Sequence, residues 1–250
     1  MASLRRVDQE TTLVIQTSAG EQRINIYSKE GFHLLSQLWL KSAWQHKFSY
    51  DFTWLGTPVI QLPEDMLMMQ ELLYKIKPDV VVETGTAHGG TAVFYASILE
   101  LLGNGHVISV DIEIREHNRS AIEAHAMRER ITLIEGSSTD EMVVAQVRKM
   151  LRPNDKVVVA LDSNHTYSHV RLELEKYSRL VTPGSYIVVF DGVMEILTDA
   201  PSGKLEWTTD SPAAAIRDFL SGHMEFEVDP YYNRVGVTYC QEGFLRRKEK

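Results

Sequence analysis

Apolar and polar positions along the chain fall into two regimes. From residue 79 to residue 191, short apolar runs (DVVVETG, HVISVD, ITLIEGS, KVVVALD and SYIVVFD) alternate with longer stretches of helical spacing, over roughly 90–102, 116–129, 139–151 and 168–181. Val80, Val81 and Val82 are consecutive and β-branched, the pattern of a strand covered on both faces. Val93, Phe94, Ile98, Leu101 and Leu102 carry the spacing of an amphipathic helix opening at Gly90. Strands alternating with helices of this length imply βαβ units and a parallel sheet.

Outside that block the pattern is less regular. TTLVIQT and EQRINIY alternate about Ser18-Ala19-Gly20, which predicts a hairpin. Residues 31–47 carry Phe32, Leu34, Leu35, Leu38, Trp39 and Trp44, a helix with a broad apolar face. YDFTWLGTPVIQLPED reads as loop, and Pro63 opens a helix to about Lys77 that buries Met66, Met69, Leu73 and Ile76. Residues 192–210 are polar and irregular; Ser211-Pro212 then caps and starts another helix. MEFEVDPYYNRVGVTYC predicts a terminal hairpin about Asp229-Pro230. Two units are expected, an extension over 1–62 and a main α/β domain over 63–250.

Composition narrows the partners. The 250 residues carry a formal net charge of −8, which disfavours nucleic acid, since neutralising phosphates needs clustered Lys and Arg. Arg246-Arg247-Lys248 is read as a solvated tail. One cysteine, Cys240, leaves no internal disulfide framework and suits a reducing compartment. No apolar run reaches the roughly 18 residues of a membrane span, and MASLRRVDQETT lacks the apolar core of a secretory signal. A cytoplasmic protein that does not engage membranes is expected.

Candidate chemistry gathers where strands end. Glu83, Asp111, Asp162 and Asp191 each follow an apolar run, and the carboxyl ends of strands line the ligand crevice of an open α/β sheet. Glu83 opens ETGTAHGG, which departs from the dinucleotide GxGxxG because Ala87 takes the place of its second glycine. Asp111, about 20 residues beyond that loop, is placed to bind both hydroxyls of a ribose. A charged Glu83 would repel a pyrophosphate but suits an amine or positive centre, which favours S-adenosylmethionine over NAD. In LDSNHTYSH, Asp162 offers oxygen to Mg²⁺ or another hard cation. His165, three residues on, suits abstraction of a hydroxyl proton. His169, a helical turn further, is expected to face away from the donor.

The runs ETGTAHGGTAVFYA, ISVDIE and LDSNHTYSHVRLELEKYSRLVTPGSYIVVFD resemble the cephalosporin hydroxylase family of S-adenosylmethionine-dependent methyltransferases, over roughly residues 50–240. Members similar in size and motif are mostly O-methyltransferases, many acting on sugar hydroxyls such as rhamnose units of macrolides and polyketides. The resemblance implies a Rossmann-like class I methyltransferase sheet, mostly parallel with an antiparallel last strand, after an N-terminal extension. It implies a divalent cation, Mg²⁺, held by Asp162 and Asp191, with His165 as general base and Asp162 shared between catalysis, donor and metal. At Phe190 the chain lacks the first member of the family's acidic pair.

On this reading Glu83, Thr84, Gly85, Thr86, Gly89, Gly90 and Thr91 hold the methionine end of the donor. Asp111 and Ile112 take its ribose side, and Gly136, Ser137 and Ser138 lie near the adenine. Tyr50–Trp54 and residues 192–210 cover a small-molecule acceptor, a glycosylated natural product, with Trp207, Tyr231 and Tyr232 offering flat faces. A homo-oligomer is allowed. Two other readings remain open: a NAD-dependent oxidoreductase, and a donor-binding protein of this fold without turnover.

Overall fold

In the computed structural model, which describes residues 2–7, 10–17 and 20–249, the valine runs lie side by side at the centre of a seven-stranded sheet. Its strands are β6 (Val80–Thr84), β7 (His106–Asp111), β8 (Ile131–Glu135), β9 (Val157–Leu161), β10 (Tyr186–Val189), β11 (Phe226–Val228) and β12 (Phe244–Arg247), ordered β11-β12-β10-β9-β6-β7-β8. The five strands β6 to β10 are parallel, and β12 runs antiparallel to both β10 and β11. The order reverses between β6 and β9, so the crevice opens at the carboxyl ends of those two strands.

The central strands β6, β7, β9 and β10 each feed two cores, as their apolar runs require. Val80 and Val82 pack on one face with Val144 and Val147 of α5 (Glu141–Met150), Val170, Leu174 and Tyr177 of α6 (Tyr167–Tyr177), and Ile216 and Phe219 of α7 (Pro212–Gly222). Val81 packs on the other face with Met68 to Ile76 of α2 (Pro63–Ile76) and Ala92 to Leu99 of α3 (Gly90–Leu102). Helix α3 is buried all round from Gly90 to Leu99, with Leu101 exposed, so it is a core helix and not the amphipathic one expected. The expected helices at 116–129 and 168–181 each end in a 3₁₀ turn, α4 (Glu116–Glu123) before Arg128–Arg130 and α6 before Ser178–Leu180.

The N-terminal hairpin forms between β2 (Glu10–Thr17) and β3 (Gly20–Asn25), joined by a further strand β1 (Ala2–Val7); Ser18 and Ala19 of its turn lie outside the described residues. Helix α1 (Lys29–Gln45) buries Gly31, Ser36, Leu40 and Ala43, while Phe32, Leu38 and Trp39 are exposed, so its covered face is not the one its largest side chains mark. YDFTWLGTPV forms a hairpin where loop is expected, β4 (Phe52–Trp54) against β5 (Thr57–Val59). Leu55 and Gly56 turn it with φ of 47° and 86°, a conformation that Leu does not advertise.

Two C-terminal expectations are corrected. VGVTYC does not pair with β11, because buried Asp65 captures it: Thr238 Oγ1 and the Tyr239 amide both donate to that carboxylate. The partner is β12, which takes Arg246 and Arg247 into the sheet, where Arg247 donates to the Val181 carbonyl; these residues are strand and not solvated tail. Residues 192–210 are folded into 3₁₀ turns at Gly192–Leu197 and Leu205–Thr208, with Val193 and Leu197 packed on Leu40, Leu62 and Tyr239. Among the described residues no helix is long and apolar enough to cross a membrane.

Candidate active site

Glu83 is the fourth residue of β6 and faces Ser109 of β7 across the parallel ladder. It is 1% exposed, and Ser109 Oγ donates to its Oε2 at 2.6 Å. With that proton committed, Ser109 Oγ accepts from Thr86 Oγ1 at 2.7 Å, and Thr91 also bonds the carboxylate. Burial outweighs these bonds and lifts Glu83 to about 7. A buried acid at the mouth of a glycine loop, with no cationic side chain paired to it among the described residues, suits a positive group.

The loop after β6 turns on left-handed residues. Gly85 has φ +92°, and a Cβ there would lie 2.0 Å from the Asp162 carbonyl, so only glycine lets the two strand ends meet. Ala87 has φ 45° without being glycine; its amide donates to Asp111 Oδ2 at 3.0 Å and its carbonyl accepts from Asn118 Nδ2 at 2.9 Å. These bonds hold the conformation that the missing glycine would otherwise supply. Gly90 opens α3 directly against β5, a Cβ there falling 2.2 Å from the Pro58 carbonyl.

Asp162 follows β9 and Asp191 follows β10 in a left-handed conformation (φ 57°). One donor atom from each of Asp162, His165 and Asp191 lies within 4.8 Å of the others. His165 Nε2 is 3.1 Å from Asp191 Oδ2, and Gln61 Nε2 donates to Asp162 Oδ2 at 2.7 Å. Burial and repulsion from Asp191 and Glu83 push Asp162 up; burial raises Asp191, with His165 pulling the other way. Two crowded carboxylates and an imidazole form a donor set suited to a divalent cation, whose charge would relieve that repulsion.

These groups share one cavity of about 560 Å³. Gly85–His88, Gly90 and Thr91 line it together with Asp162, Ser163, His165 and Asp191, and with Trp44, Tyr50, Met194, Ser202, Trp207 and Tyr239. Trp44 meets Trp207 and Tyr239 edge-on, with ring centroids 6.0 and 5.5 Å apart.

Residues 46–248 match the family model for rhamnosyl O-methyltransferase/CmcI. The chain belongs to the rhamnosyl O-methyltransferase/CmcI family. With it the chain belongs to the S-adenosylmethionine-dependent O-methyltransferases, which replaces the NAD oxidoreductase reading. A rhamnosyl O-methyltransferase of Mycobacterium leprae is 30% identical over 201 residues, 78% of this chain and 83% of that protein. One from Mycobacterium bovis is 32% identical over 201 residues, 78% of each. In fold the chain is similar to CmcI with Mg and SAM (17% identity, TM-score 0.57, 80% of this chain and 78% of that one). It is also similar to the mycinamycin-pathway methyltransferase MycE with Mg, SAH and mycinamycin VI (16% identity, TM-score 0.52, 94% and 66%).

Within this family frame the expected site residues separate. The cavity takes in Gly85, Thr86, Gly90, Thr91, Asp162, His165 and Asp191. Glu83, Thr84 and Gly89 are buried beneath it, and Asp111, exposed Ile112, Ser137 and Ser138 sit beyond its lining at the ends of β7 and β8. Of the expected aromatics, Tyr50 and Trp207 reach the cavity, whereas Phe52 and Trp54 line a separate apolar cavity of about 310 Å³. Tyr232 is stacked on Phe244 in the core, and Tyr231 is exposed with Arg234 over its ring. His169 stands outside the lining of the cavity, and its Nε2 lies 3.1 Å from both Ser138 Oγ and Ser163 Oγ, tying the loops after β8 and β9.

Phe190 is 2% exposed and packs in the core with Tyr95, Val188 and Cys240. Sequence reasoning missed Ser109, Gln61, Trp44 and Tyr239. Ser109 alone left a signal, a polar residue inside an apolar strand run.

Proposed function

We propose that this protein transfers the methyl group of S-adenosylmethionine to a sugar hydroxyl of a glycosylated natural product, in the first place a rhamnosyl hydroxyl. The observation that carries the reading is the Asp162–His165–Asp191 cluster, which lines one cavity with the glycine loop that follows Glu83. The names of the curated relatives and the mycinamycin VI bound to MycE support the acceptor class.

The donor supplies an activated methyl on a positive sulfur, so the protein's task is alignment and proton removal. Glu83 and the loop amides from Gly85 hold the methionine end, Asp111 the ribose, and Ser137 and Ser138 bound the adenine. Asp162 and Asp191 suit Mg²⁺, which when bound would lower the cost of an alkoxide on the acceptor. His165 takes the hydroxyl proton. Its Nε2 is engaged by Asp191 at 3.1 Å, which orients the ring and, with Nε2–H donating, leaves Nδ1 as the nitrogen that accepts the proton. Trp44, Trp207 and Tyr239 enclose the acceptor and exclude water.

Assaying methyl transfer from S-adenosylmethionine to rhamnosylated acceptors, with EDTA and with Mg²⁺ restored, tests this. Turnover that EDTA suppresses and Mg²⁺ recovers is expected. Full activity in EDTA would remove the cation, and donor binding with no turnover on any glycosylated acceptor would return the protein to a binding role.

A further inference from the structure

Gln61 stands between the two cavities, and nothing in the methyl-transfer scheme uses it. It is 4% exposed, just ahead of α2, and its stem lines the apolar cavity with Phe52, Trp54, Val59, Met66 and Phe94. Its amide reaches through the partition and Nε2 donates to Asp162 Oδ2 at 2.7 Å. Its Oε1 is buried with no partner among the described residues. A buried amide with an orphaned carbonyl is a standing cost, and an apolar residue of the same length would fit those neighbours better. What the glutamine offers in return is the single bond to Asp162.

We propose that Gln61 is a positioning residue for the divalent-cation site: it fixes the rotation of the Asp162 carboxylate by occupying Oδ2 and leaves Oδ1 to the cation. This rests on the reading of Asp162 as a metal ligand. The place of Gln61 follows from Phe190. With a buried aromatic ring in its place, position 190 gives the site no carboxylate, so Asp162 and Asp191 carry more of the binding and the orientation of each matters more. Partners that hydrogen-bond a metal-ligating carboxylate orient it, and removing one typically costs 10–100-fold in metal affinity. Gln61 does this from outside the βαβ block, carried by the segment that joins the β4–β5 hairpin to α2.

Gln61→Met separates this role from a structural one, because methionine keeps the length, suits the apolar lining and removes the orphaned carbonyl. Mn²⁺ affinity, read by electron paramagnetic resonance titration, is expected to fall 10–100-fold. The Tm without metal should be unchanged or higher, and the affinity for S-adenosylmethionine measured without metal unchanged. Gln61→Leu is the second variant, with the same expectation. Variants that bind Mn²⁺ within twofold of wild type would overturn the proposal. So would affinity and Tm falling together in both variants, which is the mark of a merely structural residue. Wild-type protein that binds no Mn²⁺ would overturn the metal reading and Gln61 with it, whereas wild type that binds while Asp162→Asn does not leaves the reading standing and isolates the test on Gln61.

Discussion

Glu83 is the residue whose environment speaks most directly about the donor. Burial holds its proton to about pH 7, so meeting a positive amine below that pH requires releasing the proton first. Affinity for S-adenosylmethionine should therefore climb, by up to tenfold per pH unit, as pH rises to about 7, and level off above it. Calorimetry at pH 6 and pH 8 reads this directly, and Glu83→Gln should bind weakly and without the slope. A wild-type affinity independent of pH would take Glu83 out of contact with the donor's charge. His165 carries a different expectation. Its truncation to alanine should lower kcat by about 10²- to 10⁴-fold while donor affinity stays nearly intact, since the ring faces Asp191 and not Glu83. Stopped-flow turnover and donor titration together separate the two effects.

At the scale of elements, the approach of β6 to β9 decides whether a site exists. Gly85→Ala places a Cβ against the Asp162 carbonyl at a left-handed position, whereas Gly103→Ala, also left-handed (φ +78°), meets nothing within 4 Å. The first should cost more than the second by about 1–3 kcal/mol in urea unfolding, and it alone should weaken donor binding by shifting the Asp162 backbone. Equal costs would mean that the strand ends have room to part. Phe190 tests the core beside the site. Since its ring is packed among Tyr95, Val188 and Cys240, Phe190→Glu should not supply the absent metal ligand. It should destabilise by about 3 kcal/mol or more through a lost core ring and a buried charge, and Mn²⁺ affinity should not rise. A stable, tighter-binding variant would show that this strand end can turn over.

Across the whole molecule the buried acids make stability depend on pH in one direction. Asp65 and Glu83 are both lifted by burial to about 7, from ordinary values of 3.8 and 4.5. Between those values and 7 the folded protein holds protons that the unfolded chain releases, so stability is full below about pH 4 on their account and falls as pH rises to 7. Asp162 and Asp191, also raised by burial, add the same sign. Asp199 and Asp218, lowered by hydrogen bonds from Lys41 and Arg171, act only below 3.8. His106, lowered from 6.5 by burial, opposes as a single half-buried ring. In EDTA and without donor, Tm at pH 8 should lie below Tm at pH 5.5, and Asp65→Asn should flatten the difference. A Tm that rises over that range would contradict the assignment of these acids as buried and neutral.

How far the sequence reaches is visible in particular residues. The runs VVV and IVV set the period that makes a two-faced parallel strand, and a period is a local property, so the central sheet and the acids near its ends were legible: Glu83 is the last residue but one of β6, Asp111 ends β7, Asp162 directly follows β9 and Asp191 stands two residues past β10. The motifs around Gly85 and His165 carried the family for the same reason. Contacts between distant segments left no such mark. Leu55 adopts the turn that a glycine would announce, Asp65 draws Thr238 and Tyr239 away from the expected hairpin, and Gln61 reaches Asp162 across a separation of 101 residues. Each depends on which strands become neighbours, a global outcome of packing two cores on one sheet. Local patterning thus determined what the strands are and which acids they deliver, while only the tertiary structure decided which side chains hold those acids in place.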